Sequence, residues 1–308
     1  MVDILLATYN GEAWLEEQIA SLMAQDFQDW RLLVRDDGSK DGTLAFLRAQ
    51  QTRLGDRLII YEDEGTNLGA AGNFARLMER STAPYLMLCD QDDVWLPEKI
   101  SLTFARMKES EKAYGAETPL MVHTDFGIVD DKLSPIADSG HRFQQINAER
   151  GGTLGRLLVQ NVATGCTIML NKALREFALP LPANALMHDH WLSLVAACFG
   201  KIVYLPVPTL LYRQHGGNAV GAQAWNPLYA ARLLFRLSLV GEVMARNRVQ
   251  AKAFYERYKD VMGSNERATL DAFIRMPVFG FFEKRRAILR YGFFYSGAIR
   301  NIGWMILC

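Results

Sequence analysis

Cysteine is scarce and scattered. Cys89, Cys166, Cys198 and Cys308 are the only four among 308 residues, and none forms a CxxC pair or falls at metal-ligand spacing. A zinc site and a disulfide framework are therefore not expected, and a reducing compartment fits best. Long apolar runs are missing as well. No stretch of about 18 uncharged apolar residues occurs, which argues against a membrane-spanning helix. The first residues run straight into the strand-like VDILLA, without the basic and apolar regions of a secretion signal. The expectation is a cytoplasmic chain. Internal repeats and low-complexity segments are absent, and with 50% hydrophobic residues disorder is excluded.

A net charge is also lacking, since 34 basic residues balance 34 acidic ones. No nucleic-acid partner is expected. The balance hides a division: residues 226–308 hold 14 Lys and Arg against 6 Asp and Glu, and residues 1–225 carry the compensating acid. Two regions with different tasks follow, 1–225 and 226–308.

From residue 3 short β-rich runs alternate with helical-period segments. DILLA precedes a helix over 12–24, WRLLVR one over 41–50, DRLIIY one over 70–80 and YLMLC one over 97–110. Strands separated by helices of this length imply right-handed crossovers and a parallel sheet, in an α/β fold. Further strands are expected at MVHTDFGIVD, CTIML, KIVYL and TLLYR, with helices near 153–160 and 189–199. After Pro227 the pattern is helical, Arg-rich and aromatic. Each early strand ends in polar residues: TYN (8–10), DDGSKDGT (36–43), DEGTNLG (63–69) and DQDD (90–93). An open α/β sheet binds its ligand at that edge.

CDQDDVW (89–95) sets three carboxylates, Asp90, Asp92 and Asp93, just beyond a buried strand. Without a compensating cation they cost several kcal/mol. Hard oxygen ligands suit Mg²⁺ or Mn²⁺, which keep open positions for substrate phosphates. The plain alternative is an acidic turn capping the next helix. In the same way DDGSKDGT is also a β-turn with Asp41 near a helix N-cap.

With ATYNGEAWLEEQ and WRLLVRDDGSKDGT placed before it, this motif resembles the family 2 glycosyltransferases of GT-A fold over residues 3 to about 215. The resemblance implies a mixed sheet flanked by helices, holding a nucleotide-diphosphate sugar. It implies that Thr8, Tyr9, Asn10 and Glu12 line the nucleotide and that Asp37 accepts a hydrogen bond from a pyrimidine base. It sets Asp90 and Gln91 against the ribose or donor sugar, Asn67 of TNLGAAGNF beside the nucleotide, and Gly165 of NVATGCT next to the donor. Asp92 becomes a ligand of Mn²⁺ or Mg²⁺, and His215 of LYRQHGGN, a late His, completes the metal shell. A carboxylate matches the imide N–H of uracil or thymine, so one of those bases is expected.

An inverting transferase also needs a general base, and an Asp at the mouth of a helix serves. The family places an acidic pair, usually Glu-Asp, where this chain has His188 and Asp189. The departure leaves Asp189 as the base, with His188 or His190 to tune it; the alternative is that Asp189 caps a helix.

The wording ATYNG, RDDGSKDGT, DQDDVW, HDHW and YRQHGGN is most similar to the rhamnosyltransferase branch, which uses dTDP-L-rhamnose. That implies transfer of L-rhamnose to a glycan or polyprenyl-linked acceptor in bacterial surface polysaccharide assembly, with a UDP-sugar as the alternative donor. The tail, 275–308, mixes Phe, Tyr and Trp with Lys and Arg, which suits an interfacial helix on the inner face of the plasma membrane, or a contact with another subunit in a homo-oligomer. Two other functions compete. DQDDV fits the DxDx(T/V) pattern of haloacid-dehalogenase-type phosphatases, but three βα units precede it and no late acidic pair follows. A noncatalytic sugar-nucleotide-binding partner protein would keep the fold without the chemistry, yet Asp92 and Asp189 are both present.

Overall fold

The computed structural model describes residues 1–62, 67–216, 221 and 237–307. The boundary expected at 225–226, the start of the DEGTNLG loop (63–66) and the Gly217 and Asn218 that follow His215 lie outside them. The first half is a run of βα units: β1 (Val2–Thr8), α1 (Leu15–Met23), β2 (Trp30–Asp36), α2 (Thr43–Leu54), β3 (Leu58–Tyr61), α3 (Gly69–Arg80) and β4 (Tyr85–Cys89). Then come β5 (Val94–Trp95), α4 (Lys99–Tyr114), β6 (Leu120–Val129) and β7 (Pro135–Ala137). Three short helices, α5 (Gly140–Gln144), α6 (Ala148–Gly151) and α7 (Leu154–Leu157), lead to β8 (Ile168–Asn171), α8 (Lys172–Ala178), α9 (His188–Phe199) and β9 (Lys201–Arg213). Four helices close the chain: α10 (Leu237–Tyr258), α11 (Ser264–Arg275), α12 (Phe281–Tyr291) and α13 (Ala298–Leu307).

The strand order is β3-β2-β1-β4-β8-β6-β9-β5, with β7 pairing β6. β1 to β4 are parallel, as the helical crossovers require, but β8 enters antiparallel between β4 and β6, so the sheet is mixed. Both faces are covered, which is why the central residues Ile4–Leu6, Leu32–Val34 and Leu86–Leu88 are continuous apolar runs. Side chains alternate between the faces: Leu5, Leu33, Leu86 and Leu88 join α3, α9 and the C-terminal helices in one core. Ile4, Leu6, Leu32 and Val34 join α1 and α4 in the other.

The segments KIVYL and TLLYR, expected as two strands, are one, β9, running beside β6 for its whole length. Pro206 and Pro208 carry no N–H, and the ladder shifts register there, between Thr124 and Asp125 and again before Gly127. The helix expected over 153–160 is a single turn, Leu154–Leu157.

The basic, aromatic end of the chain shares the first core. Phe254 and Tyr258 of α10 pack on Trp191 of α9, and α12 closes over α7, where a Cβ on Gly155 would fall 1.9 Å from the Tyr291 carbonyl oxygen. That neighbour is backbone and cannot swing away. Gly155→Ala should therefore cost about 3 kcal/mol, read as a lower denaturation midpoint with unchanged slope.

Candidate active site

The carboxyl ends of β1, β2 and β4 meet at one edge, and backbone donors hold their loops in place. Gln91 bridges two of them: its Oε1 accepts from Tyr9 N at 2.8 Å and its Nε2 donates to Tyr9 O at 3.0 Å. Gly11 lies so close beneath that amide that a Cβ there would meet Oε1 at 2.3 Å. Asn10 has a left-handed backbone, φ 48°, held by Ser39 Oγ on its N–H and by Lys40 N on its Oδ1. Glu12 Oε2 accepts from Gly42 N at 2.8 Å. Thr8 is buried and donates to Asp36 Oδ1, while Tyr9 stays exposed. At the start of α2 the residue before the first helical one is Gly42, but Asp41 does accept from Thr43 N.

Asp37 is 3% exposed. Its Oδ1 accepts from Arg35 at 2.7 Å and from Leu68 N at 2.8 Å, and its Oδ2 from Gly69 N at 2.8 Å. Asn67 donates to Asp37 O at 3.1 Å. The carboxylate thus ties the loop before α3 to the end of β2.

The acidic motif lies between β4 and β5. Because β5 pairs with the end of β9, Val94 opposite Leu211 and Trp95 opposite Leu210, the residues after β9 return over DQDD. His215 Nε2 stands 2.9 Å from Asp92 Oδ2. Its ring stacks on Trp14 at 4.7 Å, and Arg213 lies over the same indole. Buried Arg213 also donates to Asp92 O at 2.9 Å, to Asp131 O and to Glu17, and its backbone N–H donates to Asp93 Oδ1.

Asp93 is fully buried, with Oδ2 unpaired by hydrogen bonds. Asp90, Asp93 and Cys166 have potential ligand atoms within 4.8 Å of one another, the only such set of three among the described residues. Burial, then the charges of Asp92 and Asp189, pushes Asp90 up to about 7. Burial and the neighbouring Asp90 and Asp92 push Asp93 well above the usual carboxylate range. Buried Lys99 is the nearby cation, drawn down by burial to about 8, with Nζ 4.7 Å over the Trp95 ring.

Asp189 opens α9, beside the loop that carries Gly165. Burial raises it to about 6, opposed by the N–H groups of His190 and Gly165; the His190 bond to Oδ1 is 2.6 Å. A Cβ on Gly165 would come 3.1 Å from His188 Nε2 and 3.8 Å from Asp189 Cβ. The two histidines expected to tune Asp189 point their rings elsewhere. His190 Nε2 contacts Leu157 O at 2.7 Å, and His188 stacks on Phe74 at 4.0 Å with neither nitrogen hydrogen-bonded. Burial and backbone N–H groups do the tuning.

The candidate residues thus fall into two groups. Thr8, Tyr9, Asn10, Glu12, Asp37, Asn67 and Gln91 gather around the ends of β1 and β2, and Asp90, Asp92, Gly165, Asp189 and His215 around the end of β4. Sequence reasoning gave no role to Trp14, Lys99, Cys166 and Arg213; burial marks the last three, and Trp14 is marked by its stacking on His215.

Comparison with known proteins agrees with this architecture. The model of the family "Glycosyl transferase family 2" matches residues 3–176. The dTDP-rhamnosyl transferase RfbG of Shigella flexneri is 28% identical over 228 residues, 70% of this chain and 74% of that one. The UDP-Glc:alpha-D-GlcNAc-diphosphoundecaprenol beta-1,3-glucosyltransferase WfgD of Escherichia coli is 26% identical over 182 residues, 58% of this chain and 64% of its own. Among solved structures, the mannosyltransferase PcManGT of Pyrobaculum calidifontis, in complex with GDP-Man and Mn²⁺, superposes with a TM-score of 0.54 at 15% identity, covering 99% of this chain and 78% of that one. The family match spans more than half the chain and takes in every element from β1 to β8 that carries the acidic edge, so this protein belongs to glycosyl transferase family 2 and has its GT-A fold.

Proposed function

We propose that the protein is an inverting, metal-dependent rhamnosyltransferase, moving L-rhamnose from dTDP-L-rhamnose to a glycan or polyprenyl-linked acceptor in cell-surface polysaccharide assembly. The observation that carries the transfer chemistry is the convergence of Asp90, the Asp92–His215 pair and Asp189 at one strand edge. The donor rests on the motif wording and on the similarity to RfbG; a UDP-sugar is the alternative. A lipid-linked acceptor agrees with the name of the WfgD relative, and Mn²⁺ with the bound ion of PcManGT.

The donor set fits a divalent cation. A carboxylate oxygen and an imidazole nitrogen 2.9 Å apart are both Mn²⁺ ligand types, and the adjoining buried Asp93 has an oxygen with no hydrogen-bond partner. When bound, such an ion supplies charge stabilisation to the departing diphosphate. The chain's own residues do the rest. Thr8, Tyr9, Asn10, Glu12 and Asn67 line the nucleotide, and Asp37, oriented by Arg35 and the Leu68 and Gly69 N–H groups, accepts from its base. Asp189 takes the proton of the acceptor hydroxyl as its oxygen bonds to the anomeric carbon. The bond from that carbon to the diphosphate oxygen breaks, and its electron pair leaves with the nucleoside diphosphate. Attack from the opposite face inverts the anomeric centre.

The direct assay supplies dTDP-L-rhamnose, or UDP-sugars in parallel, with lipid-linked glycans and follows release of the nucleoside diphosphate. Faster release from dTDP-L-rhamnose supports the reading. Release from a UDP-sugar alone would move the donor, and release from none would remove the activity.

A further inference from the structure

We infer that the outer faces of α12 and α13 form a surface that lies on an anionic lipid bilayer. Lipid binding needs neither nucleotide nor metal, so this goes beyond the transferase reading and stands or fails apart from it.

Both helices are half buried. Ala287 and Ile288 of α12 and Trp304 of α13 enter the core, where the Trp304 indole donates to Phe293 O. The opposite faces are apolar yet in water. Phe282 is 83% exposed and Leu289, seven residues on and so on the same side, 65%, with Phe281 beside them. On α13, Ile299, Ile302 and Ile306 follow helical spacing and are all exposed. Arg285 joins the two stripes: it donates to Phe281 O at 2.9 Å and to Ile306 O at 3.1 Å, and lies 3.6 Å over the Phe281 ring. Two apolar stripes are therefore pinned side by side.

The charge of this region selects the occupant. From Arg275 to the end the chain has six Lys and Arg and one acidic residue, Glu283. Glu283 is spent on capping α12, accepting from Gly280 N at 2.9 Å. Lys284, Arg286 and Arg290 belong to the same helix as the exposed phenylalanines. Across a two-fold contact with a second copy these cations would face their own kind, whereas protein interfaces are depleted of charge at their centres. Against anionic headgroups each is matched, while the apolar stripes reach the acyl boundary. Among the described residues no helix is long and apolar enough to cross a membrane, so the helices lie in its plane. The surface is joined to the active-site helix, because α12 packs on α7 at Gly155 and the α7 carbonyl of Leu157 meets the ring of His190, the residue after Asp189 on α9.

The test is sedimentation of the full chain with vesicles of phosphatidylglycerol and phosphatidylethanolamine, and with phosphatidylcholine vesicles as the neutral control. The parent should sediment with the anionic vesicles and remain in the supernatant with the neutral ones. The exposed double variants Phe281→Ser/Phe282→Ser and Arg286→Glu/Arg290→Glu should each lose about tenfold or more of that binding, while their melting temperature and dTDP affinity match the parent's. Failure of the parent to bind anionic vesicles would overturn the proposal, as would undiminished binding by both variants. A lipid-free dimer that Phe281→Ser/Phe282→Ser dissociates would overturn it too, by assigning the face to a second copy.

Discussion

Asp189→Asn should leave donor binding within about twofold of the parent and cut turnover by roughly a thousandfold, the usual worth of a positioned general base. Nucleotide affinity and turnover measured on the same preparation separate the two effects, and near-normal turnover would remove Asp189 from the mechanism. The pH profile adds a second reading. Burial raises this carboxyl to about 6, so the parent should lose activity as pH falls through that value, and the residual activity of the Asn variant should lack that limb. The stability effect has the opposite sense. A folded-state pKa raised above the unfolded value gives stability that is present below about pH 4 and lost as pH rises through about 6. At pH 7.5 the Asn variant should therefore melt at a higher temperature than the parent. A residue that only capped α9 would give lower stability and no change in the pH profile.

Asp92→Asn should weaken nucleotide binding in Mn²⁺ by about a hundredfold or more, towards the level the parent shows in EDTA. His215→Ala should act in the same direction, since its Nε2 stands 2.9 Å from the Asp92 carboxylate. Intact metal-dependent affinity in both would refute the ligand assignment. Removing divalent cations should also show in stability. Asp90, raised to about 7, is neutral and costless below about pH 4 and becomes an uncompensated charge as pH rises through 7. Adding Mn²⁺ at pH 8 should raise the melting temperature of the parent; at pH 5, where fewer of these carboxylates are charged, the gain should be smaller.

Much of this was legible in the chain, for reasons that differ by region. The βα units of residues 1–114 declare themselves because a parallel strand covered on both faces is apolar through its middle and its helices keep a 3.6-residue period. The motifs at the strand ends are local, so their gathering at one edge follows from topology alone. Pairing was harder to see. Nothing in IMLN or LMVHTDFGIV tells that β8 would enter antiparallel between β4 and β6, because strand neighbours are set by packing of distant segments. His215 comes back to Asp92 through the two-residue β5, too short to leave a periodic signal. Lys99 and Arg213 carry no sequence signal of burial, yet both are buried near the acidic motif. They brace the motif rather than neutralise it: Arg213 holds the Asp92 carbonyl and pairs with Glu17, and Lys99 bonds Thr209. The rings of His188 and His190 could not be aimed from sequence either, since residues in one helical turn diverge by about 100° each.

The most direct test of the metal-nucleotide cleft is calorimetric titration of the parent with dTDP, UDP and GDP, each in Mn²⁺, in Mg²⁺ and in EDTA. The account predicts that dTDP binds more tightly than the other two and that EDTA removes this binding. Equal binding with and without EDTA, or no binding of any of the three, would contradict it.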